Sequence, residues 1–199
     1  MLARRSFMAL MVSAGPIIAS KGAAAKTQMI ILDDFSDPKA VAKNGKSWRY
    51  VADTVMGGIS KGQMEKAVLD GRPALHLTGA VRLESNGGFV QMALDISTTN
   101  ILRQGEEIVA IELDTLGNNE DYNVHLRTSD LNRPWQSYRQ SFVAAPQWTT
   151  QTFNISDFAA YRTEAPLDIR KLRSLGIVAI GRKFEADIAI SGLRLITRL

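Results

Sequence analysis

The part of this 199-residue chain that most resembles a catalytic motif is the run GISKG at positions 58–62. It matches the G-x-S-x-G pattern, in which a serine nucleophile sits on a sharp turn between a strand and a helix. Lys61 and Gly62 predict a further turn instead, and no helical pattern follows them. The favoured interpretation is a glycine-rich loop in which Gly57 and Gly58 allow positive φ. No nucleophile and base, and no pair of carboxylates, stand out by their spacing, so we expect no catalytic residue.

Candidate metal ligands are few and scattered along the sequence. His76 and His125 each lie in a run of alternating polarity, which predicts exposed or hydrogen-bonded positions on strands. Neither has the close ligand spacing that is typical of a zinc site, and the chain has no cysteine. Asp33, Asp34 and Asp37 are candidates for a calcium site completed by backbone oxygens, with turn and capping roles as the alternative. We therefore expect no metal and no cofactor, with calcium left open.

Aromatic side chains offer a different chemistry, because their flat faces can stack on sugar rings. The candidates are Trp48, Tyr50, Trp135, Tyr138 and Trp148. Packing in the core is the alternative for most of them. Trp48 and Tyr50 are two residues apart on one predicted strand, so both are expected to be buried or both exposed. An accessible pair would favour a carbohydrate ligand.

The strongest turn signal lies at Glu84–Phe89, between two strand patterns. Asn86-Gly87 predicts a β-hairpin, because both residue types tolerate positive φ. A structural role in the turn is favoured over a binding role for these residues when they are considered alone.

Short runs of alternating polarity must position all of these residues. Tyr122, Val124 and Leu126 alternate with polar neighbours, and similar strands are predicted at 29–32, 48–52, 75–78, 81–83, 89–94, 107–113, 137–143, 149–155, 174–180 and 187–196. Helix is scarce: a short segment can run from Asp37 to about Lys43, and Asp168 can start one more turn. About ten strands with so little helix predict an all-β sandwich and argue against a doubly wound fold.

The first 25 residues predict an export signal. The paired Arg4 and Arg5 precede an apolar run from Phe7 to Ala19, and small residues follow at 23–25. The sequence RRSFM at 4–8 is similar to a twin-arginine signal, with a Sec signal as the alternative; both predict a periplasmic protein. The apolar run is shorter than the roughly 20 residues of a membrane span, so a stable span after cleavage is not expected.

The remaining chain, residues 26–199, is predicted to form one domain. It carries 21 basic and 20 acidic residues, so the formal net charge of +4 comes mainly from the first segment. A nearly neutral domain gives no general electrostatic case for binding nucleic acid.

Several motifs, considered together, carry a family resemblance. They are Trp48, Asp53, Val55-Met56-Gly57-Gly58, Ser60 and Asn86-Gly87-Gly88-Phe89, followed by Tyr122, Arg127, Trp135, Tyr138, Phe142, Trp148, Phe153 to Phe158, Ile177 and Ile190. The pattern spans Leu32 to Ile196 and resembles the complex I intermediate-associated protein family. The resemblance implies a galactose-binding-like jelly-roll β-sandwich that is related to carbohydrate-binding modules.

The resemblance also implies a function. Mitochondrial members of the family act as assembly chaperones for the membrane arm of respiratory complex I, without known catalytic residues. It therefore implies a non-catalytic protein-binding or chaperone-like module, with membrane respiratory subunits among the candidate partners. A periplasmic carbohydrate-binding module, with a glycan ligand, is the alternative. One departure is that the mitochondrial chaperone works in the matrix, whereas an exported chain could reach only the periplasmic side of such subunits.

The candidate partner- or ligand-binding residues are those that match the family motifs. They are Trp48, Asp53, Met56, Gly57, Gly58, Ser60, Asn86, Gly87, Gly88, Phe89 and Arg127. Asp53 and Ser60 are expected to fix the Gly57-Gly58 loop through hydrogen bonds to backbone amides. That loop is expected to pack beside the turn at Asn86, so that two glycine-bearing loops present one fixed surface.

Overall fold

The computed structural model describes residues 26–98 and 101–199, apart from the side chain of Asn86. The predicted export signal at 1–25 lies outside the described residues. Within the described part of the chain, no helix is long and apolar enough to cross a membrane.

Two antiparallel six-stranded sheets form the domain, as the alternating pattern predicts. The strands are β1 (Thr27–Asp33), β2 (Arg49–Ala52), β3 (Lys61–Leu69), β4 (Arg72–Val81), β5 (Phe89–Asp95), β6 (Glu107–Gly117), β7 (Asp121–Thr128), β8 (Ser137–Val143), β9 (Thr149–Asn154), β10 (Ala159–Tyr161), β11 (Leu172–Ile180) and β12 (Phe184–Arg198). The first sheet has the order β3-β4-β12-β6-β9, with β1 paired to β12, and the second has the order β10-β8-β7-β11-β5-β2. The predicted jelly-roll β-sandwich is confirmed.

The core lies between the two sheets, and alternate residues of each strand enter it. Leu75 and Leu77 of β4 face inward from the first sheet, and Met92 and Leu94 of β5 face inward from the second. Because successive side chains on a strand point to opposite faces, residues 89, 91, 93 and 95 of β5 must lie on the outer face of the second sheet. Burial of the inner set thus determines which residues remain for function.

The predicted hairpin at Asn86 is wrong. β4 and β5 belong to different sheets, so the segment between them crosses the sandwich edge and forms a short 3₁₀ turn at Glu84–Asn86. The positive φ values fall on Ser85 (59°) and Gly88 (129°), whereas Gly87 has φ of −80°. The glycines are thus used to change sheets rather than to reverse one strand.

Two further local predictions are also wrong. Residues 37–43 form turns instead of a short helix, because Ala40 has a positive φ (53°) that an α-helix cannot contain. Lys61 and Gly62 begin β3 rather than a turn, with Gly62 opposite Gly79 across the strand pair. A Cβ on Gly62 would lie 2.4 Å from the Thr78 carbonyl oxygen, so close approach of the two backbones requires glycine there.

The turn predicted at Asp168 is confirmed. Its carboxylate accepts a hydrogen bond from the Arg170 amide (3.1 Å) at the start of a 3₁₀ turn, Ile169–Lys171. Further described 3₁₀ turns are Asp53–Met56 and Ile155–Asp157.

Candidate functional site

A groove of about 760 Å³ runs across the outer face of the second sheet. Its lining comes from β2, β5, β11, β7, β8 and β10, and from the loops that hold Met56, Gly87 and Trp135. The volume lies within the range of roughly 300–1,000 Å³ that is usual for ligand sites. We call this feature the groove.

One row of residues across the sheet defines the floor of the groove. Arg139 lies opposite His125, His125 opposite Gly176, and Gly176 opposite Ala93, which in turn lies opposite Arg49. The two smallest side chains are at the centre of the row and the two arginines are at its ends. The register therefore makes a trough with a cation at each end.

Arginine and aromatic side chains form one end of the groove. The Arg139 guanidinium lies 3.4 Å from the centre of the Tyr161 ring, and the Arg162 guanidinium lies 5.2 Å from the same centre. Burial lowers the pKa of Arg139, while Tyr161 acts in the opposite direction. Because arginines cover the Tyr161 ring, a ligand at this end meets guanidinium groups rather than an open aromatic face.

Arg127 connects the floor to the neighbouring wall. Its guanidinium donates to the carbonyl oxygens of Pro134 (2.6 Å) and Arg133 (2.9 Å). These two bonds hold the loop that presents Trp135, whose side chain is 47% exposed. Burial and the nearby Arg173 lower the pKa of Arg127.

His125 is a neutral group in the floor. Burial, together with the charges of Arg139 and Arg127, lowers its pKa to about 3. Its Nε2 atom is buried and has no hydrogen-bond partner among the described residues. An unpartnered buried polar atom costs roughly 1–3 kcal/mol, so a ligand oxygen or nitrogen that reached Nε2 would gain stabilisation there.

Asp53 fixes the opposite wall of the groove. Its carboxylate is fully buried and accepts hydrogen bonds from the Ser60 amide (3.0 Å), the Ser60 hydroxyl, the Gly88 amide (2.5 Å) and the Phe89 amide (3.3 Å). Burial by itself would raise the pKa of Asp53, but the bonds from Ser60, Gly88 and Phe89 outweigh it and hold the pKa below its usual value. One carboxylate thereby joins the loop after β2 to the loop before β5.

Glycine is required where these loops meet Asp53. Gly57 ends the 3₁₀ turn with φ of 86°, whereas Gly58 has no positive φ but would place a Cβ 2.3 Å from the Asp53 carboxyl carbon. A Cβ on Gly87 would lie 2.6 Å from an Asp53 carboxylate oxygen. The expected positive φ is thus confirmed for Gly57 and wrong for Gly58, which is needed for close approach.

The expected hydrogen-bond arrangement is present with one correction. Asp53 and Ser60 do bind backbone amides, but the carboxylate binds those of Ser60, Gly88 and Phe89, while the Gly58 amide donates to the Asp53 carbonyl oxygen (3.0 Å). The Ser60 hydroxyl accepts from the Arg82 amide (2.9 Å). Ser60 is buried and is followed by β3 rather than by a helix, so it lacks the setting of a nucleophile elbow.

The structure divides the predicted site residues into three groups. Met56, Gly87, Gly88, Phe89 and Arg127 line the groove. Asp53, Gly57, Gly58 and Ser60 support its wall, and the backbone of Asn86 belongs to the turn beside them. Trp48 is elsewhere: it is buried, and its indole NH donates to Asp33 (2.7 Å).

The aromatic residues considered for sugar stacking are mostly not available for it. Trp48 is buried, and Tyr50 of the same face packs partly against the core, so this is not the accessible pair that would favour sugar. Tyr138 is buried and donates to Ala165 and Pro166 carbonyl oxygens. Trp148 donates to the Leu69 carbonyl oxygen. Of these five residues, Trp135 alone lines the groove.

Most of the polar and charged lining was missed by sequence reasoning. The missed residues are Arg49, Gln91, Asp95, Arg139, Tyr161, Arg162 and Arg173, and His125 was noted only as a strand histidine. For Arg49, Gln91 and Arg139, alternate positions on predicted strands were a usable signal. Asp95, Tyr161, Arg162 and Arg173 lie outside the predicted strands. The sequence did not reveal that six strands place them on one face.

The three aspartates considered for calcium have separate partners. Asp33 accepts from Trp48 and from the Phe35 amide (2.7 Å), and burial raises its pKa. Asp34 pairs with Lys43 (2.7 Å), and Asp37 accepts from the Lys39 amide (2.7 Å). No cluster of three or more histidine, cysteine or carboxylate side chains is found within the described ranges.

Comparison with protein families matches residues 34–190 to Complex I intermediate-associated protein 30 (CIA30). A search of curated protein sequences gives no significant match. The family match includes both glycine-bearing loops and all twelve strands except β1 and the end of β12.

Carbohydrate-binding modules are among the solved structures that share this fold. The family 11 module from Clostridium thermocellum in complex with a β-1,3-1,4-mixed-linked tetrasaccharide is 12% identical, with a TM-score of 0.63 over 87% of this chain and 96% of that one. The family 11 module of the cellulase Lic26A-Cel5E is 11% identical, with a TM-score of 0.64 over 87% and 95%. The family 30 module of Cel9D-Cel44B is 12% identical, with a TM-score of 0.57 over 83% and 96%. At these identities the likeness extends to the fold alone.

Proposed function

This chain belongs to the complex I intermediate-associated protein 30 family, and we propose that it is a non-catalytic, chaperone-like module that binds a protein partner in the groove. The observation that carries the proposal is the apolar wall at the groove edge. Val55 and Met56 are 71% and 51% exposed, and both line the groove. Exposed apolar side chains beside a concave surface are typical of interaction sites.

The wall is suited to recognition because it is held in place. The Asp53 carboxylate binds the loops on both sides. Gly57 adopts a positive φ that other residues resist, and Gly58 leaves the space that the Asp53 side chain occupies. Ordering this wall before binding reduces the conformational entropy lost on association. The same contacts leave Ser60 in a supporting role rather than a catalytic one.

The location of the partner follows from the predicted signal at 1–25. An exported module would meet the periplasmic side of respiratory membrane subunits, which we propose as the partner class. A reporter fused to residues 1–25 tests this location: export that survives loss of the twin-arginine translocase would contradict the twin-arginine part.

Crosslinking in cells tests the binding surface directly. The tagged full chain is crosslinked and captured proteins are identified by mass spectrometry, with Val55→Asp as the groove variant. Val68→Asp is the matched control, because Val68 is 72% exposed on β3 of the other sheet, against 71% for Val55. We expect respiratory membrane subunits to be lost from the Val55→Asp capture and retained by Val68→Asp. Equal capture by both variants would contradict the proposal.

Carbohydrate binding is the second candidate function. Trp135 favours it, because this partly exposed indole lies in the groove beside hydrogen-bonding side chains. A glycan array probed with wild type and Trp135→Ala tests it. Binding of a defined sugar that is lost in Trp135→Ala, together with no specific protein capture, would favour this function over the first.

A further inference from the structure

The groove concentrates positive charge that the domain as a whole does not have. Residues 26–199 carry 21 basic and 20 acidic side chains. Five arginines and one aspartate lie among the groove residues that the structure describes, without lysine or glutamate. The rest of this segment therefore carries 16 basic and 19 acidic side chains. Such segregation produces a local positive potential that attracts anionic ligands.

Four of these arginines lack an acidic partner. Arg49 forms an ion pair (2.7 Å) with Asp95, the one acidic residue among the described groove residues. The other four, which are Arg127, Arg139, Arg162 and Arg173, form no ion pair within 4 Å among the described residues. Like charges held together without compensation repel one another, so an anion bound among them would relieve a cost that the free protein carries.

The floor supplies a further hydrogen-bonding group at the same point. His125 lies directly opposite Arg139 and two residues before Arg127 on the same face of β7. Its Nε2 atom is buried and unpartnered within the described chain. A carboxylate near this atom could accept from Nε2 in the tautomer that carries its proton there and from an arginine fork.

Apolar walls on both sides narrow the ligand class. Val55 and Met56 form one edge, and Trp135 stands at another. A ligand that contacts both the unpaired arginines and the apolar edges needs carboxylates and aliphatic side chains along one chain. Six strands about 4.8 Å apart span about 24 Å, enough for about seven extended residues.

We propose that the groove recognises an acidic, apolar polypeptide segment, with carboxylates at Arg139, Arg162 and His125 and aliphatic side chains against Val55 and Met56. This inference rests on the proposed protein-binding function and specifies the partner's chemistry. A polyuronate would match the charges but would offer no aliphatic side chains to the wall.

Isothermal titration calorimetry of the purified domain tests the charge requirement. The probe is a synthetic peptide of about ten residues that repeats Glu-Leu-Asp-Ser, and its matched control replaces the acids by Gln and Asn. We expect the acidic peptide to bind at least about tenfold more tightly than the amide peptide, and its affinity to fall as salt rises. Equal affinity for the two peptides would overturn the inference.

Variants connect the binding to the named residues. Arg139→Gln combined with Arg162→Gln should weaken the acidic peptide at least about tenfold. Arg103→Gln is the control, because Arg103 is exposed and lies outside the groove lining. Thermal unfolding of each variant establishes that it is folded. Unchanged affinity in the folded double variant, or binding of oligogalacturonate in place of the acidic peptide, would overturn the inference.

The cellular experiment separates failure of this inference from failure of the proposed function. Loss of capture in Val55→Asp but not in the double arginine variant would leave the protein-binding function standing and overturn the acidic-segment inference. No loss in either variant would overturn both. Loss in both, with Val68→Asp and Arg103→Gln unaffected, supports both.

Discussion

The two outer faces of this sandwich use charge in opposite ways. On the first sheet, Arg194 of β12 contacts Asp114 (2.8 Å) and Glu112 (3.2 Å) of β6, and His76 of β4 contacts Asp187 (2.7 Å) of β12. Arg194 and His76 thus each have a carboxylate on a neighbouring strand. On the second sheet, the groove holds four arginines that have no such partner in the described chain.

This difference indicates on which face folding itself pairs the charges described above and on which face four arginines stay without an acidic partner. Cross-strand pairs on the first sheet add stability within the chain itself. Arg127, Arg139, Arg162 and Arg173 in the groove form no comparable pair. Burial lowers the pKa of His125, and the charges of Arg139 and Arg127 lower it further. A face that gains its counter-charges only from outside is the better candidate for binding.

The largest expected effect is on the wall of the groove. Asp53→Ala removes a buried acceptor and leaves the amides of Ser60, Gly88 and Phe89 without it. We expect the free energy of unfolding to fall by about 3 kcal/mol or more in denaturant titrations. Asp187→Ala is the control on the first sheet, and its side chain is 58% exposed. A loss below about 1 kcal/mol is expected there, as for exposed pairs generally.

An equal decrease in the free energy of unfolding of Asp53→Ala and Asp187→Ala would show that Asp53 does not hold the two loops together. Because Asp53 is buried, its removal alters folding and binding together. Val55→Asp changes the surface itself and is the cleaner probe.

A smaller effect is expected from breaking a charge pair on the first sheet. Burial would raise the pKa of the half-buried Asp114, but hydrogen bonds from Arg194 help to hold it low. Arg194→Gln removes that charged donor. We expect the free energy of unfolding of the variant to be about 2 kcal/mol lower than that of wild type. Arg173→Gln in the groove is the matched change, and it should alter stability by no more than about 0.5 kcal/mol. Similar losses in both variants would mean that the groove arginines also serve to stabilise the fold.

Much of the fold was predictable because alternation is a local property. The pattern at Ser137–Val143 gives β8 with both of its bounds, and the pattern around Val124 gives β7. β3 was missed because Gly62 suggests a turn, although its glycine serves contact with Gly79 across the strand pair. That contact depends on a partner strand, which local sequence does not specify.

The site was less predictable because its residues meet only through sheet order. The motif residues Met56, Gly88 and Arg127 do line the groove. Arg139 and Arg49, however, come together on one face because β8, β7, β11, β5 and β2 are neighbours in that order. Pairing register is a non-local property, so composition showed a neutral domain and concealed a charged groove.

The smallest expected effect concerns the two strand histidines, one on each outer face. His125 has its pKa lowered to about 3 in the folded protein, whereas an unfolded chain has a histidine pKa of about 6.5. As the pH falls below about 6.5, the unfolded state gains a proton that the folded state does not, so folding loses stability until about pH 3. Between pH 7 and 5.5 this histidine should cost about 1 kcal/mol, and His125→Gln should remove that loss from denaturant titrations. His76→Gln, on the face where a carboxylate is already present, should leave the loss in place. A His125→Gln profile that follows wild type would contradict a lowered pKa of His125 in the folded protein.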